Sequence, residues 1–283
     1  MMVRDIDLTR GGYGGDVIEE DFKWFTSQHM EYWWHFREVL YAADRKSTAR
    51  WKMIDGSLMS DDDHRTLIAV SLLNYAVYTG MAEAMSFFDD LRLNVSQGNL
   101  LYTRRAWKGL YSSLYGSFNA FCNLFFVVVF NESPFGADPV NPWNQTPTTV
   151  LKRVVKDQKT TVADVIKACQ SRLIIRDHLD HWWAIWTGFI QDKQTGRIGF
   201  RLDHNFKKGY ILLEAEQEVD WNKAIDAVQR AIDDITGCAD DFNRIYKEMA
   251  VTGGYLDTYL IDNGWEIDYS DYGSPHNRQR PTP

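Results

Sequence analysis

The sequence has few of the residues that build disulfide-linked or low-complexity proteins. Only three of its 283 residues are cysteine and seven are proline. Cys122, Cys169 and Cys238 lie far apart and have neither Cys-x-x-Cys nor Cys-His spacing. This pattern excludes a disulfide framework and a zinc knuckle, and we expect all three to be reduced residues of the core.

The sequence also lacks a secretory leader and an interdomain linker. The first 15 residues, MMVRDIDLTRGGYGG, contain no apolar signal-peptide core, so we expect a cytoplasmic protein. No long segment rich in proline, glycine and serine divides the chain, and we interpret 131–149 as a loop inside one domain. We therefore predict a flexible lead over 1–16, a helical domain over 17–250 and a tail over 251–283.

The overall composition is that of an ordinary folded protein. Hydrophobic residues make up 45% of the chain, charged residues make up 25%, and the formal net charge is -8. These values exclude the disordered and fibrous classes. The 11 Trp, 14 Tyr and 15 Phe residues predict a core or an interface rich in aromatic rings.

Apolar residues recur at helical spacing along most of the chain. Ser60 or Asp61 begins one such segment in the manner of an N-cap, and Asp220 begins another. The sequence predicts helices over about 16–44, 60–93, 103–130, 160–189 and 221–250.

Two segments depart from the amphipathic helix pattern. Residues 196–218 alternate in short runs around glycine and asparagine, which predicts a β excursion. Residues 110–130 carry no charge over about the 20 residues that a membrane span needs, but their Asn and Ser residues favour a buried central helix. We predict a mainly α fold: a bundle of about five long helices with a small β-hairpin insertion and no membrane span.

Residues 171–183, SRLIIRDHLDHWW, concentrate side chains suited to acid-base chemistry. Asp177 and His181 are four residues apart, so on a helix the carboxylate can orient the imidazole. Arg176 is a permanent cation whose planar donor fork suits phosphate, and a histidine that titrates near neutrality suits proton transfer. Arg176, Asp177 and His181 are therefore candidate catalytic residues for phosphodiester chemistry.

Positive charge surrounds this motif in an otherwise acidic chain. Residues 151–176 hold seven Lys or Arg residues and only two Asp residues. Such a patch attracts polyanions, although lysine-rich helices are commonly just solvated faces. The candidate substrate-binding residues in and after the patch are Lys167, Arg172, His178, Arg197 and Arg201.

The stretch RDHLDH, from Arg176 to His181, resembles the Arg-x(4–6)-His motif of HEPN domains (higher eukaryotes and prokaryotes nucleotide-binding). Asp177 fits the family's preference for a polar residue directly after the arginine. A second match, from Arg172 to His178, leaves the register ambiguous, and Asp177 favours Arg176 and His181. The resemblance implies a helical bundle that dimerises through the motif helix.

Many HEPN proteins are metal-independent endoribonucleases of toxin–antitoxin or antiphage systems. The resemblance therefore implies RNA as substrate, no cofactor, and an antitoxin or other regulatory partner. It also implies that His181 transfers protons, that Arg176 stabilises charge on the phosphoryl oxygens and that Asp177 orients His181.

Two other interpretations stay open from the sequence. A non-catalytic HEPN-like module that binds nucleotide or protein would have the same motif, because surface pairs at i, i+4 spacing are common. Alternatively, His178 and His181 would hold a metal within a helical bundle. The further histidines and the carboxylate available for such a site are Glu31, His35, His29, His64 and His204.

Overall fold

The fold is mainly α-helical, as predicted. A computed structural model describes residues 25, 28–33, 36, 61–131, 145–176, 188–201, 223–249, 255 and 258. Of these residues 84% are helical. The continuous elements are α1 (Asp61–Ser96), α2 (Leu100–Phe130), α3 (Pro147–Lys156), α4 (Thr160–Arg172), β1 (Gly188–Gln191), β2 (Ile198–Arg201) and α5 (Lys223–Lys247).

Helices α1 and α2 form a long antiparallel hairpin that two glycines allow to pack closely. A Cβ atom at Gly80 would lie 2.7 Å from the Ser117 Cβ, and one at Gly109 would lie 2.6 Å from the Phe87 ring. The turn between the helices places Gly98 at φ +71°, a conformation that glycine adopts without strain. The two helix axes can therefore approach because neither glycine has a side chain.

Helix α2 is the centre of the bundle. It is the one described helix that is long and apolar enough to cross a membrane, and 61% of its most apolar 18-residue window is buried. Its rings pack on α5, where Phe121 stacks on Phe242 with centroids 4.5 Å apart. Tyr111 contacts Asp234 and Phe121 contacts Tyr246, so residue numbers rise together and α2 and α5 run parallel.

Residues from the predicted first helix pack on the same core. The Trp33 indole donates to the Asn74 carbonyl oxygen of α1 at 3.1 Å, and Trp33 stacks on Tyr78 with centroids 4.5 Å apart. The Tyr32 backbone N–H donates to the Asn243 side chain of α5 at 2.7 Å. The described residues of this predicted helix therefore contact both α1 and α5.

Helix α3 was not predicted from the sequence. The loop expected to run to residue 149 ends before Pro147, because Thr146 accepts a hydrogen bond from the Thr149 N–H and proline begins the helix. The next helix, α4, begins at Thr160 as expected. It ends at Arg172 rather than continuing to 189; residues 174–176 are again helical after a turn at Leu173.

The β-hairpin starts earlier in the chain than predicted. Its first strand, β1, precedes the expected excursion of 196–218, and Phe189 opposes Phe200 in the antiparallel register. Both rings pack edge-on against Trp107 of α2, at 5.2 and 5.0 Å between centroids. Asp192 fixes the turn by accepting from the Gln194 N–H and the Thr195 hydroxyl. The hairpin is therefore part of the core around α2.

Removing either of two buried hydroxyls of α2 should change the free energy of unfolding, in opposite directions. The Ser117 hydroxyl donates to the Val77 carbonyl oxygen at 2.6 Å, whereas the fully buried Thr103 hydroxyl has no hydrogen-bond partner. We expect Thr103→Val to raise the free energy of unfolding by about 1 kcal/mol, because it removes an unsatisfied polar group at nearly constant volume. Ser117→Ala, the matched control, should lower it by a similar amount. Urea denaturation measures both, and a destabilised Thr103→Val protein would contradict the prediction.

Candidate functional site

Arg172 lies on the last turn of α4 and is held by α5. Its guanidinium forms an ion pair with Asp241, whose carboxylate also lies 3.4 Å from Arg244. A Cβ atom at Gly237 would lie 2.7 Å from the Arg172 Nε, so glycine leaves the space that the arginine occupies. Burial alone would lower the pKa of Arg172, but the hydrogen bond and charge of Asp241 raise it. Arg172 therefore joins α4 to α5.

Arg176 lies one turn further along the chain and contacts α2. Its backbone N–H donates to the Leu173 carbonyl oxygen at 2.9 Å. Its guanidinium carbon lies 4.2 Å from the centroid of the Tyr115 ring, within the range of a cation–π contact. The side chain is half-buried. The Tyr115 ring thus sets the position of Arg176 and covers one of its faces.

The two motif arginines therefore have different surroundings. Arg172 forms an ion pair with a carboxylate of α5, and Arg176 contacts an aromatic ring of α2. Asp177, His178 and His181 lie outside the described residues.

The other candidate substrate-binding residues in the described part of the chain lie on separate elements. Lys167 is exposed on α4, and its Nζ lies 4.0 Å from Asp164. Arg197 follows the hairpin turn, which packs beside Gly98. Leu100, the first residue of α2 after this turn, is 15 positions before Tyr115, about 22 Å at the usual helical rise. Arg201 ends β2, opposite Gly188.

One of the histidines considered as a metal ligand, His29, already has a partner within the protein. The His29 Nδ1 lies 2.7 Å from the Asp240 carboxylate of α5, and its ring lies 4.9 Å from Phe25. His35 and His204 lie outside the described residues, as does the side chain of His64. Among the described side chains, no group of three or more His, Cys, Asp or Glu could hold a metal ion.

A buried polar pair between α2 and α5 was missed in the sequence. The Tyr111 hydroxyl donates to Asp234 at 2.8 Å, and the Arg230 Nε lies 3.7 Å from the same carboxylate. Burial raises the pKa of Asp234, although Tyr111 and Arg230 act in the opposite direction. A carboxylate on the apolar face of a helix, four residues after an arginine, is the signal that would have identified it.

The three cysteines are free and buried, as expected from their spacing. They converge from three helices: Cys238 of α5 and Cys122 of α2 both lie near Cys169 of α4. Burial raises the pKa of Cys122 well above its usual value. This keeps the thiol protonated and therefore unreactive.

Comparison of the chain with protein-family models, with curated proteins and with solved structures found no match.

The pKa of Asp234 predicts a pH-dependent contribution to stability. A carboxyl whose pKa is raised in the folded state holds its proton more tightly there than in the unfolded chain. The contribution of this carboxyl to the free energy of unfolding therefore falls as the pH rises from its pKa in the unfolded chain to its higher pKa in the folded state. Relative to Asp234→Asn, which keeps an oxygen for Tyr111, the wild-type unfolding free energy should decline as the pH rises above about 4.

Urea denaturation of both proteins from mildly acidic to neutral pH measures this difference. Asp226→Asn, at an exposed position of the same helix, controls for removal of one negative charge. The same pH dependence in both variants would contradict a specific effect of burial at Asp234.

Proposed function

We propose that this protein is a HEPN-like, metal-independent endoribonuclease. The observation that carries the proposal is the position of Arg176, the arginine of the RDHLDH motif, whose guanidinium carbon lies 4.2 Å from the centroid of the Tyr115 ring. A phosphate clamp needs a cation that is held in a defined position. The helical bundle and the RDHLDH motif on its fourth predicted helix also support it.

The proposed reaction is transesterification of RNA by the neighbouring 2′-hydroxyl. His181 accepts the 2′-hydroxyl proton as the O2′–P bond forms and the P–O5′ bond breaks, and the leaving O5′ takes up a proton. The products are a 2′,3′-cyclic phosphate and a 5′-hydroxyl. Arg176 stabilises the charge on the phosphoryl oxygens, and Asp177 holds the imidazole in the orientation that accepts the proton.

The proposal includes the setting that the HEPN resemblance implies. The protein would act in the cytoplasm as a homodimer formed through the motif helix, with an antitoxin or other regulator controlling it. Toxin–antitoxin and antiphage systems are the corresponding biological roles.

Replacing His181 tests the chemistry. General acid-base catalysis contributes roughly 100- to 10,000-fold, so we expect His181→Ala to lower the rate of RNA cleavage at least about 100-fold. His276→Ala is the matched control, since it removes the same side chain from the C-terminal tail and should leave the rate within a few-fold. Cleavage of labelled RNA in EDTA, with identification of the product ends, measures both effects.

Several outcomes would contradict this proposal. A wild-type protein that binds a partner but does not cleave RNA would be a non-catalytic module. Loss of activity in His178→Ala alone would assign the chemistry to the other register, and loss in EDTA would exclude a metal-independent reaction. Unfolding temperature and oligomeric state establish that each variant is folded.

Substitutions at Tyr115 test the positioning of Arg176 independently of the histidine variants. We expect Tyr115→Leu to lower kcat roughly tenfold with little change in KM, because it removes the ring face that orients the guanidinium. Tyr115→Phe retains that face and should restore the rate. Single-turnover cleavage of labelled RNA separates the two parameters, and equal rates for Leu and Phe variants would contradict a role for the ring.

A further inference from the structure

The helix is interrupted between the two motif arginines. Helix α4 ends at Arg172, Leu173 forms a turn, and residues 174–176 are helical again. In an uninterrupted helix the backbone hydrogen bonds fix the direction of each turn relative to the turn before it. The interruption at Leu173 relaxes this constraint. The direction of residues 174–176, which begin the motif, therefore depends on the side-chain contacts made on either side of Leu173.

Arg172 makes the contact before the interruption. Its guanidinium pairs with Asp241 of α5, and only 31% of the Arg172 side chain and 15% of the Asp241 side chain are exposed. A charge-assisted hydrogen bond that is partly shielded from water is stronger than a fully exposed ion pair. Gly237, one turn before Asp241, leaves the room that this pair needs, because a Cβ atom there would lie 2.9 Å from the Arg172 Cζ.

Arg176 makes the contact after the interruption. Its guanidinium carbon lies over the Tyr115 ring of α2, and its backbone N–H donates to the Leu173 carbonyl oxygen. A cation–π contact is directional only in part, since a guanidinium can slide across the face of a ring. The position of the Arg176 side chain therefore also depends on where its backbone begins, four residues after Arg172.

A chain of packed rings joins the two contacts into one frame. Tyr115 meets Phe118 edge-on with centroids 6.3 Å apart, and Phe118 of α2 lies parallel to Phe242 of α5 with centroids 6.4 Å apart. Phe118 and Phe242 are fully buried, and Phe242 directly follows Asp241. Close packing of these rings fixes the position of Asp241 relative to Tyr115.

We propose that Asp241 is a positioning residue for Arg176. Its ion pair with Arg172 fixes the end of α4, so that residues 174–176 leave the interruption in the direction that keeps the Arg176 guanidinium over the Tyr115 ring. Arg172 then has a structural role and does not contact RNA. The consequence for cleavage rests on the proposed ribonuclease function, in which Arg176 is the phosphate clamp.

Nuclear magnetic resonance of the full chain tests the positioning without reference to catalysis. A ring current shifts the signal of an N–H proton that lies over an aromatic face, and Arg176→Lys identifies the Arg176 Nε–H signal by removing it. Tyr115→Leu should abolish the ring-current shift. We expect Asp241→Asn to lose most of the same shift, although Asp241 lies on a different helix from Tyr115.

Single-turnover cleavage of labelled RNA tests the consequence for catalysis. Misplacing a group that acts on the substrate costs up to about 100-fold, so Asp241→Asn and Arg172→Gln should each lower kcat at least roughly tenfold, with KM within a few-fold. The double variant should be no slower than either single variant, because both changes break one pair. Arg172→Lys keeps a cation opposite Asp241 and should restore much of the rate.

Two variants of α5 separate the ion pair from general charge and stability. Gly237→Ala keeps every charge and places a better helix former in α5, but its Cβ atom displaces the Arg172 guanidinium. It should lower kcat as Asp241→Asn does, without lowering the unfolding temperature. Arg244→Gln is the matched control, since it removes the other cation beside Asp241, at 3.4 Å, and leaves Arg172 in place. Its kcat should stay within a few-fold of wild type.

The proposal is overturned if Asp241→Asn leaves the Arg176 signal unchanged. Wild-type cleavage by Asp241→Asn would also overturn it, as would tighter RNA binding with an undiminished rate, because loss of the carboxylate would then have released Arg172 to contact RNA. A wild-type protein that does not cleave RNA would contradict the proposed function alone, and the Arg176 signal would still decide whether Asp241 positions Arg176.

Discussion

The close packing of α1 on α2 is the constraint on which the rest of the fold depends. Gly80 and Gly109 let the two helices approach until Ser113, Ser117 and Phe87 fill the space where side chains would otherwise stand. This contact fixes one face of α2. The opposite face is then available for α5 and the β-hairpin, and every other described element is positioned through α2 or α5.

Helix α2 links the fold to the proposed ribonuclease site. Near its middle, Tyr115 positions Arg176, while the aromatic packing with α5 places Asp241 where it pairs with Arg172.

The sequence predicted elements best where local signals are strong. Thr160 begins α4 and Phe130 ends α2 as expected, and Asn131 closes α2 in the left-handed conformation that asparagine tolerates. The strand β1 was missed since Phe189 continues an apolar pattern and is drawn into the sheet by Trp107. The motif was visible in the sequence, but the partners of its arginines come from helices about 60 residues before and after it. Such pairings cannot be inferred from spacing.

The parallel arrangement of α2 and α5 also has a consequence for the order of folding. The α1–α2 hairpin needs only a short turn, whereas the Tyr111–Asp234 bond joins residues 123 positions apart. Loop-closure entropy makes such distant contacts slow to form. The hairpin of helices should therefore assemble first, and the docking of α5 that places Asp241 beside Arg172 should come late in folding.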